Sequence, residues 1–143
     1  MHALLLGRTV LAERCWDVAR AIDLLEAIPE VRTDRIMCMG NSAGGSISYY
    51  AGCLEPRLWL TMPSCCFCSY AESKFRIHHC TDGYIPGSLK FAEMPDLAGM
   101  IAPKRMVLVA GRTDNILPIA GVERGFETVR RTYAAAGVPE RLR

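Results

Sequence analysis

No run of apolar residues in this 143-residue chain approaches the roughly 20 needed to cross a bilayer. The apolar stretch nearest the start, Ala3 to Leu6, falls short of the about 7–15 residues of a secretory leader, and Gly7 and Arg8 follow it at once. Charge of one sign is scarce as well: the formal net charge is +2 and the basic residues are scattered. That provides neither a nucleic-acid footprint nor a membrane-surface patch, so partners of those two kinds are not expected. Histidine is sparse, and none follows His79. Cysteine is not lacking, but its seven residues are an odd number and cannot all pair. Without a leader, free thiols in a reducing, cytoplasmic compartment are the expectation. No internal repeat and no low-complexity segment is present.

What is there suffices for a core. Hydrophobic residues make up 50% and charged residues 22% of a chain of single-domain length. Residues 8–28 read as an amphipathic helix. Leu11, Cys15, Val18, Ile22 and Leu25 step by four and three onto one face, with Trp16 beside that stripe as a further core candidate. Pro29 ends the pattern. Ile36 to Met39 is a short continuous apolar run, which predicts a strand buried on both faces. "AGGSISYYAGCL" predicts a helix, and Tyr49 and Tyr50 in it, with Tyr84, are read as packing residues. "LWLTMPS", residues 58–64, predicts a second strand stopped by Pro63. Residues 64–104 predict loops and short helices, as in an insertion over a site. "KRMVLVAG" is the clearest strand, Met106 to Ala110. Val122, Phe126, Val129 and Tyr133 mark a last helix to about Ala136, closed by Gly137 and Pro139. The alternation of helix and strand predicts an α/β domain with a mostly parallel sheet and flanking helices.

Chemistry gathers at Gly40-Asn41-Ser42-Ala43-Gly44, a G-x-S-x-G pattern. The pattern serves a sharp strand-to-helix turn that pushes the serine hydroxyl out of the sheet in a strained conformation. The residues two before and two after come close together, so a Cβ at either is expected to clash. The following helix aims its N-terminal N–H groups at the site, and the Ala43 N–H is the candidate oxyanion donor. A nucleophilic Ser42 needs a base, and the base needs an orienting acid. Asp114 follows the strongest strand at its carboxyl end and is the candidate acid, though an aspartate in "GRTDN" also suits a plain turn. The base is missing from its expected place. In this fold the chain order is serine, acid, histidine, and no histidine follows Asp114.

The stretches "GRTVLAERCWDVARAIDLLE", "DRIMCMGNSAGG", "PSCCFCSYAES", "IHHCTDGYIPG", "MPDLAGMIAPKRMVLVAGRTDNILPI" and "GVERGFETVRRTYAAAGVPE" resemble the α/β-hydrolase superfamily. Within it they resemble acetyl xylan esterases and dienelactone hydrolase-like esterases. The resemblance implies a partial α/β-hydrolase fold over residues 1–143, with the insert at about 64–104. It implies Ser42 as nucleophile, Asp114 as triad acid, hydrolysis of a small carboxylic ester such as an acetyl ester, and no cofactor. It also implies that the first strands, with a second oxyanion donor, and the histidine-bearing end of the family fold lie outside this sequence. Unpaired sheet edges and self-association are then expected, and the chain alone is expected to be inactive or to act only by binding another chain. A peptidase or thioesterase would show the same serine and acid.

Cys65, Cys66, Cys68, His78, His79 and Cys80 crowd the insert. Thiolates and imidazoles at this density can bind zinc, but the spacing lacks C-x₂-C, and buried free thiols are the preferred reading; no metal is expected. Asn41, His78 and His79 are candidates to line the substrate pocket.

Overall fold

The computed structural model describes residues 2–143. A short helical turn, α1 (His2–Leu5), precedes α2 (Val10–Glu26). Thr9 caps α2 by accepting from the Ala12 N–H at 3.1 Å. The helix buries Leu11, Cys15 and Ile22, with Val18 and Leu25 packed at the margin of the core. Trp16 is not core. It is 63% exposed, one position off the stripe, and the Arg20 guanidinium lies 4.4 Å from its ring centroid.

Strand β1 (Met37–Asn41) leads into α3 (Ala43–Leu54), and β2 (Leu60–Ser64) follows. A mostly irregular stretch carries 3₁₀ turns at Thr81–Gly83 and Ser88–Lys90 and a longer one at Met94–Met100, as an insertion predicts. Then come β3 (Arg105–Met106) and α4 (Ile119–Ala135). The sheet is parallel with order β1-β2-β3, in the register Cys38↔Thr61↔Met106. At the far side of β3, Met106 bridges Leu142 in parallel. The Arg143 N–H donates to the Met106 carbonyl, and Leu108 donates back to Arg143. The last residues thus begin a further parallel rung.

Two strand expectations are corrected. β1 is not buried on both faces: Cys38 packs inward while Met37 and Met39 are 48% and 64% exposed. It lies at the sheet edge, and α3 covers only the face that carries Cys38 and Thr61. Pro63 does not stop β2; it sits inside the strand, buried. The Pro63 carbonyl accepts from Val109, so its ring nitrogen points to the same neighbour, where it has no N–H to donate. The ladder beside it is thinned, and β3 is regular only at Arg105–Met106. Beyond that, Met106 to Ala110 continues through the Val107 and Val109 N–H bonds to Thr61 and Pro63.

α3 is the central element. It buries Gly45, Ser48, Tyr49, Tyr50, Ala51, Gly52 and Cys53, because the sheet, α2 and residues 94–100 surround it. Tyr49 donates to the Met94 carbonyl at 2.6 Å, and the Tyr50 and Tyr70 hydroxyls share a hydrogen bond. Both helix tyrosines are therefore packing residues tied to the insert. A Cβ on Gly52 would stand 2.7 Å from the Thr61 hydroxyl, which measures how closely α3 presses on β2. α4 buries Val122, Val129 and Tyr133 and is closed by Gly137 at φ 73°.

Candidate active site

The carboxyl ends of β1 and β2 meet at Ser42. The residue stands between β1 and α3 at φ 56°, ψ −119°, a region that favours glycine. Two main-chain bonds hold it there. Its N–H donates to the Ser64 carbonyl at 2.9 Å, and its own carbonyl accepts from Ser46 at 3.0 Å. No capping bond engages its hydroxyl. This is a sharp, strained strand-to-helix turn with the serine at its apex.

The glycines share the load unequally. A Cβ on Gly40 would lie 2.3 Å from the Gly44 carbonyl oxygen, so no side chain fits there. Gly44 itself has open space where its Cβ would be, contrary to the symmetric expectation. The second tight position is Gly45, where a Cβ would come 2.4 Å from the Ser64 carbonyl. The G-x-S-x-G pattern did not single out that residue. Its signal was the glycine pair opening α3.

Ser42 opens onto a cavity of about 110 Å³. By that measure a single water needs about 10–15 Å³, so the cavity holds several waters or a small acyl group. Ala43 lines it with Ser42 at the amino end of α3, where backbone N–H groups are free to point at a ligand. Cys65 and Cys66 line it from the end of β2, His79 from the insert, and Ile116 and Leu117 from the loop before α4. Among the described residues Cys65 is the other non-glycine with positive φ, at 47°, and its N–H donates to the Val109 carbonyl. Burial pushes the Cys66 thiol up to about 12, so it stays protonated at neutral pH.

Asp114 sits past the carboxyl end of β3. Its Oδ1 accepts from the Ile116 and Leu117 N–H groups at 2.8 and 3.0 Å. The carboxylate therefore shapes the loop that walls the cavity but is not among the residues lining it. Asn41 and His78 are also outside the lining. Asn41 is exposed and accepts from the Ser64 hydroxyl at 3.0 Å, and His78 is exposed in the insert. The structure thus brings Ser42, Ala43 and His79 to one cavity. His79 is half-buried, and desolvation, then the Lys74 ammonium, holds its imidazole below the ordinary 6.5. All seven cysteines are free, and among the described residues no group of three His, Cys, Asp or Glu is placed to hold a metal ion. Nor is any helix among them long and apolar enough to cross a membrane.

A parallel sheet with a strained serine turn at its carboxyl edge is the architecture of the α/β-hydrolases. The profile of the acetyl xylan esterase family, AXE1, matches residues 8–92, more than half of the chain, and the chain belongs to that family. It is 24% identical over 143 residues to YtaP of Bacillus subtilis (strain 168), named as a hydrolase, covering 96% of this chain and 47% of that one. Over 50 residues it is 46% identical to 4-O-methyl-glucuronoyl methylesterase 1 of Phanerochaete chrysosporium, covering 34% of this chain and 11% of that protein. In solved structures the same fold recurs. A Bacteroides fragilis protein assigned as an acetyl xylan esterase superposes with a TM-score of 0.82 at 22% identity, over 99% of this chain and 37% of that one. The glucuronoyl esterase of Sporotrichum thermophile does so at 0.79 and 21%, over 92% of this chain and 43% of that one. The chain spans about half the length or less of the relatives it matches.

Proposed function

We propose that this chain carries the nucleophile of a serine esterase acting on small carboxylic esters, acetyl esters of sugars foremost. The relatives named for acetyl xylan and glucuronoyl ester hydrolysis support that substrate class. Ser42 attacks the acyl carbonyl, and the Ala43 N–H donates to the oxyanion that develops. Asp114 orients a histidine that this sequence does not contain after it. Removing any triad member leaves only residual catalysis from the oxyanion donors and binding. The 143-residue chain by itself is therefore expected to give no useful turnover.

The observation that carries this reading is the backbone of Ser42, held at φ 56° over a cavity that its residue lines. Such strain persists only where surrounding structure enforces it, and it marks functional turns. The test is phosphonylation of the chain by a fluorophosphonate probe, read by intact mass, with and without excess imidazole as an external base. Slow labelling that imidazole accelerates, and that Ser42→Ala abolishes, is the expected result. A folded sample that stays unlabelled even with imidazole would remove Ser42 as nucleophile. Ser42-dependent hydrolysis of p-nitrophenyl acetate without imidazole would overturn the expected inactivity.

A further inference from the structure

Tryptophan is seldom left open to water, yet Trp16 is 63% exposed. It borders an open groove of about 950 Å³, lined also by Arg8, Glu13 and Asp17 and, from the insert, by Ile85 and Pro86. The Arg20 guanidinium lies over the ring, where a cation occupies one face and holds the indole in place. The exposure persists with that contact made, so the rest of the indole is open to a ligand. The charges around it are paired. Arg8 meets Glu13 at 3.1 Å, and Arg14 meets Asp17 at 2.8 Å. Balanced charge gives the groove little pull on either a cation or an anion. Its carboxylates still have acceptor sites beyond those the arginines use. An aromatic face beside hydroxyl acceptors matches a neutral polyol. The CH face of a sugar ring lies on the indole, and its hydroxyls donate to Glu13 and Asp17.

We propose that this groove is a carbohydrate subsite with Trp16 as its stacking platform. Its place in the fold says which part of a ligand it holds. Arg14 lines the Ser42 cavity and donates to Asp17 of the groove, so α2 forms the ridge between the two. A helix with its side chains is about 10–12 Å across, more than a single sugar ring spans. The groove therefore holds units of a chain some way along from the sugar whose ester sits at Ser42, and it favours an oligosaccharide over a monosaccharide. The link to Ser42 rests on the esterase reading above; the affinity of the groove itself does not.

The test is an NMR titration of the ¹⁵N-labelled chain with unacetylated xylotetraose and, separately, with xylose. The chain has two indole N–H groups, on Trp16 and Trp59. Trp59 lies just before β2, beside the Arg35 and Arg105 guanidiniums and outside the groove lining, and serves as the control. Xylotetraose is expected to shift the Trp16 indole with a Kd of about 1 mM, about tenfold tighter than xylose. Trp16→Ala, checked for a dispersed spectrum, should abolish the amide shifts over residues 8–17, and Trp16→Tyr, which keeps an aromatic face, should restore part of them. A Trp16 indole that xylotetraose leaves unmoved, or two indoles that move alike, would overturn the subsite. Equal affinities for the two sugars would overturn the spanning arrangement. Phosphonylation of Ser42 separates this proposal from the esterase reading. Labelling with no Trp16 shift removes the subsite alone, and a Trp16 shift in a chain that stays unlabelled supports the subsite and removes the esterase reading.

Discussion

Ser42 holds a conformation that costs its residue free energy. Positive φ in an L residue is worth about 1–3 kcal/mol of strain, and glycine escapes it. Ser42→Gly should relieve that strain while adding about 0.5–1 kcal/mol of unfolded-state entropy. The net expectation is a gain of about 1 kcal/mol in urea-denaturation stability, together with loss of phosphonylation. A variant less stable than wild type would mean the turn is not strained. The turn was legible in the sequence because glycines flank a serine between an apolar run and a helix-like run. Which of the two adjacent histidines lines the cavity was not legible. Adjacent histidines in a loop look alike in sequence, and only packing exposes His78 while shielding Nε2 of His79.

Between elements, one charged cluster joins α2 to the turn after α3. Arg57 forks onto both carboxylate oxygens of the buried Glu55 at 2.8 and 2.6 Å, and its Nη1 reaches Asp23 and Glu26 on α2. The guanidinium, acting against desolvation, holds the Glu55 carboxyl below its ordinary 4.5. Above that value Glu55 is ionised in both states and its stabilisation is complete. As pH falls below 4.5, the unfolded chain binds the proton first, and the stabilisation is lost through the depressed folded value. Unfolding midpoints measured across this range should therefore drop, and Glu55→Gln should flatten the slope. A slope unchanged in the variant would assign the effect elsewhere. The carboxylates of Asp34, Glu72 and Glu127 are lowered too, but their pairs lie at the surface and weaken in salt. Helix periodicity located α2 and α4 to within a few residues, whereas no spacing rule announced Arg57, whose partners are far apart in sequence.

At the scale of the molecule, the sheet is covered unevenly. α3 lies against the face carrying Cys38, Thr61 and Met106, while the opposite face leaves Met37 and Met39 open at the β1 edge. An unpaired edge strand beside exposed apolar side chains invites pairing with another chain. We expect concentration-dependent self-association of the 143-residue chain in sedimentation velocity. Met39→Lys should weaken it, since a charge at an edge is how natural sheets prevent such pairing. A chain that stays monomeric across the accessible concentrations would refute this.

By itself the sequence determined the class of fold, the positions of the three long helices and the strained serine turn. All of these are local, written in periods of three to four residues and in the few residue types a tight turn accepts. Tertiary structure alone decided which strand faces stay open, that Pro63 lies inside a strand, and that Trp16 sits on the surface. It also decided that Gly45 rather than Gly44 meets the backbone of β2, and that His79 shares a cavity with Ser42. Each of these depends on what a distant segment places opposite a residue. Burial and hydrogen-bond satisfaction are properties of that meeting, not of the residue or its neighbours in the chain.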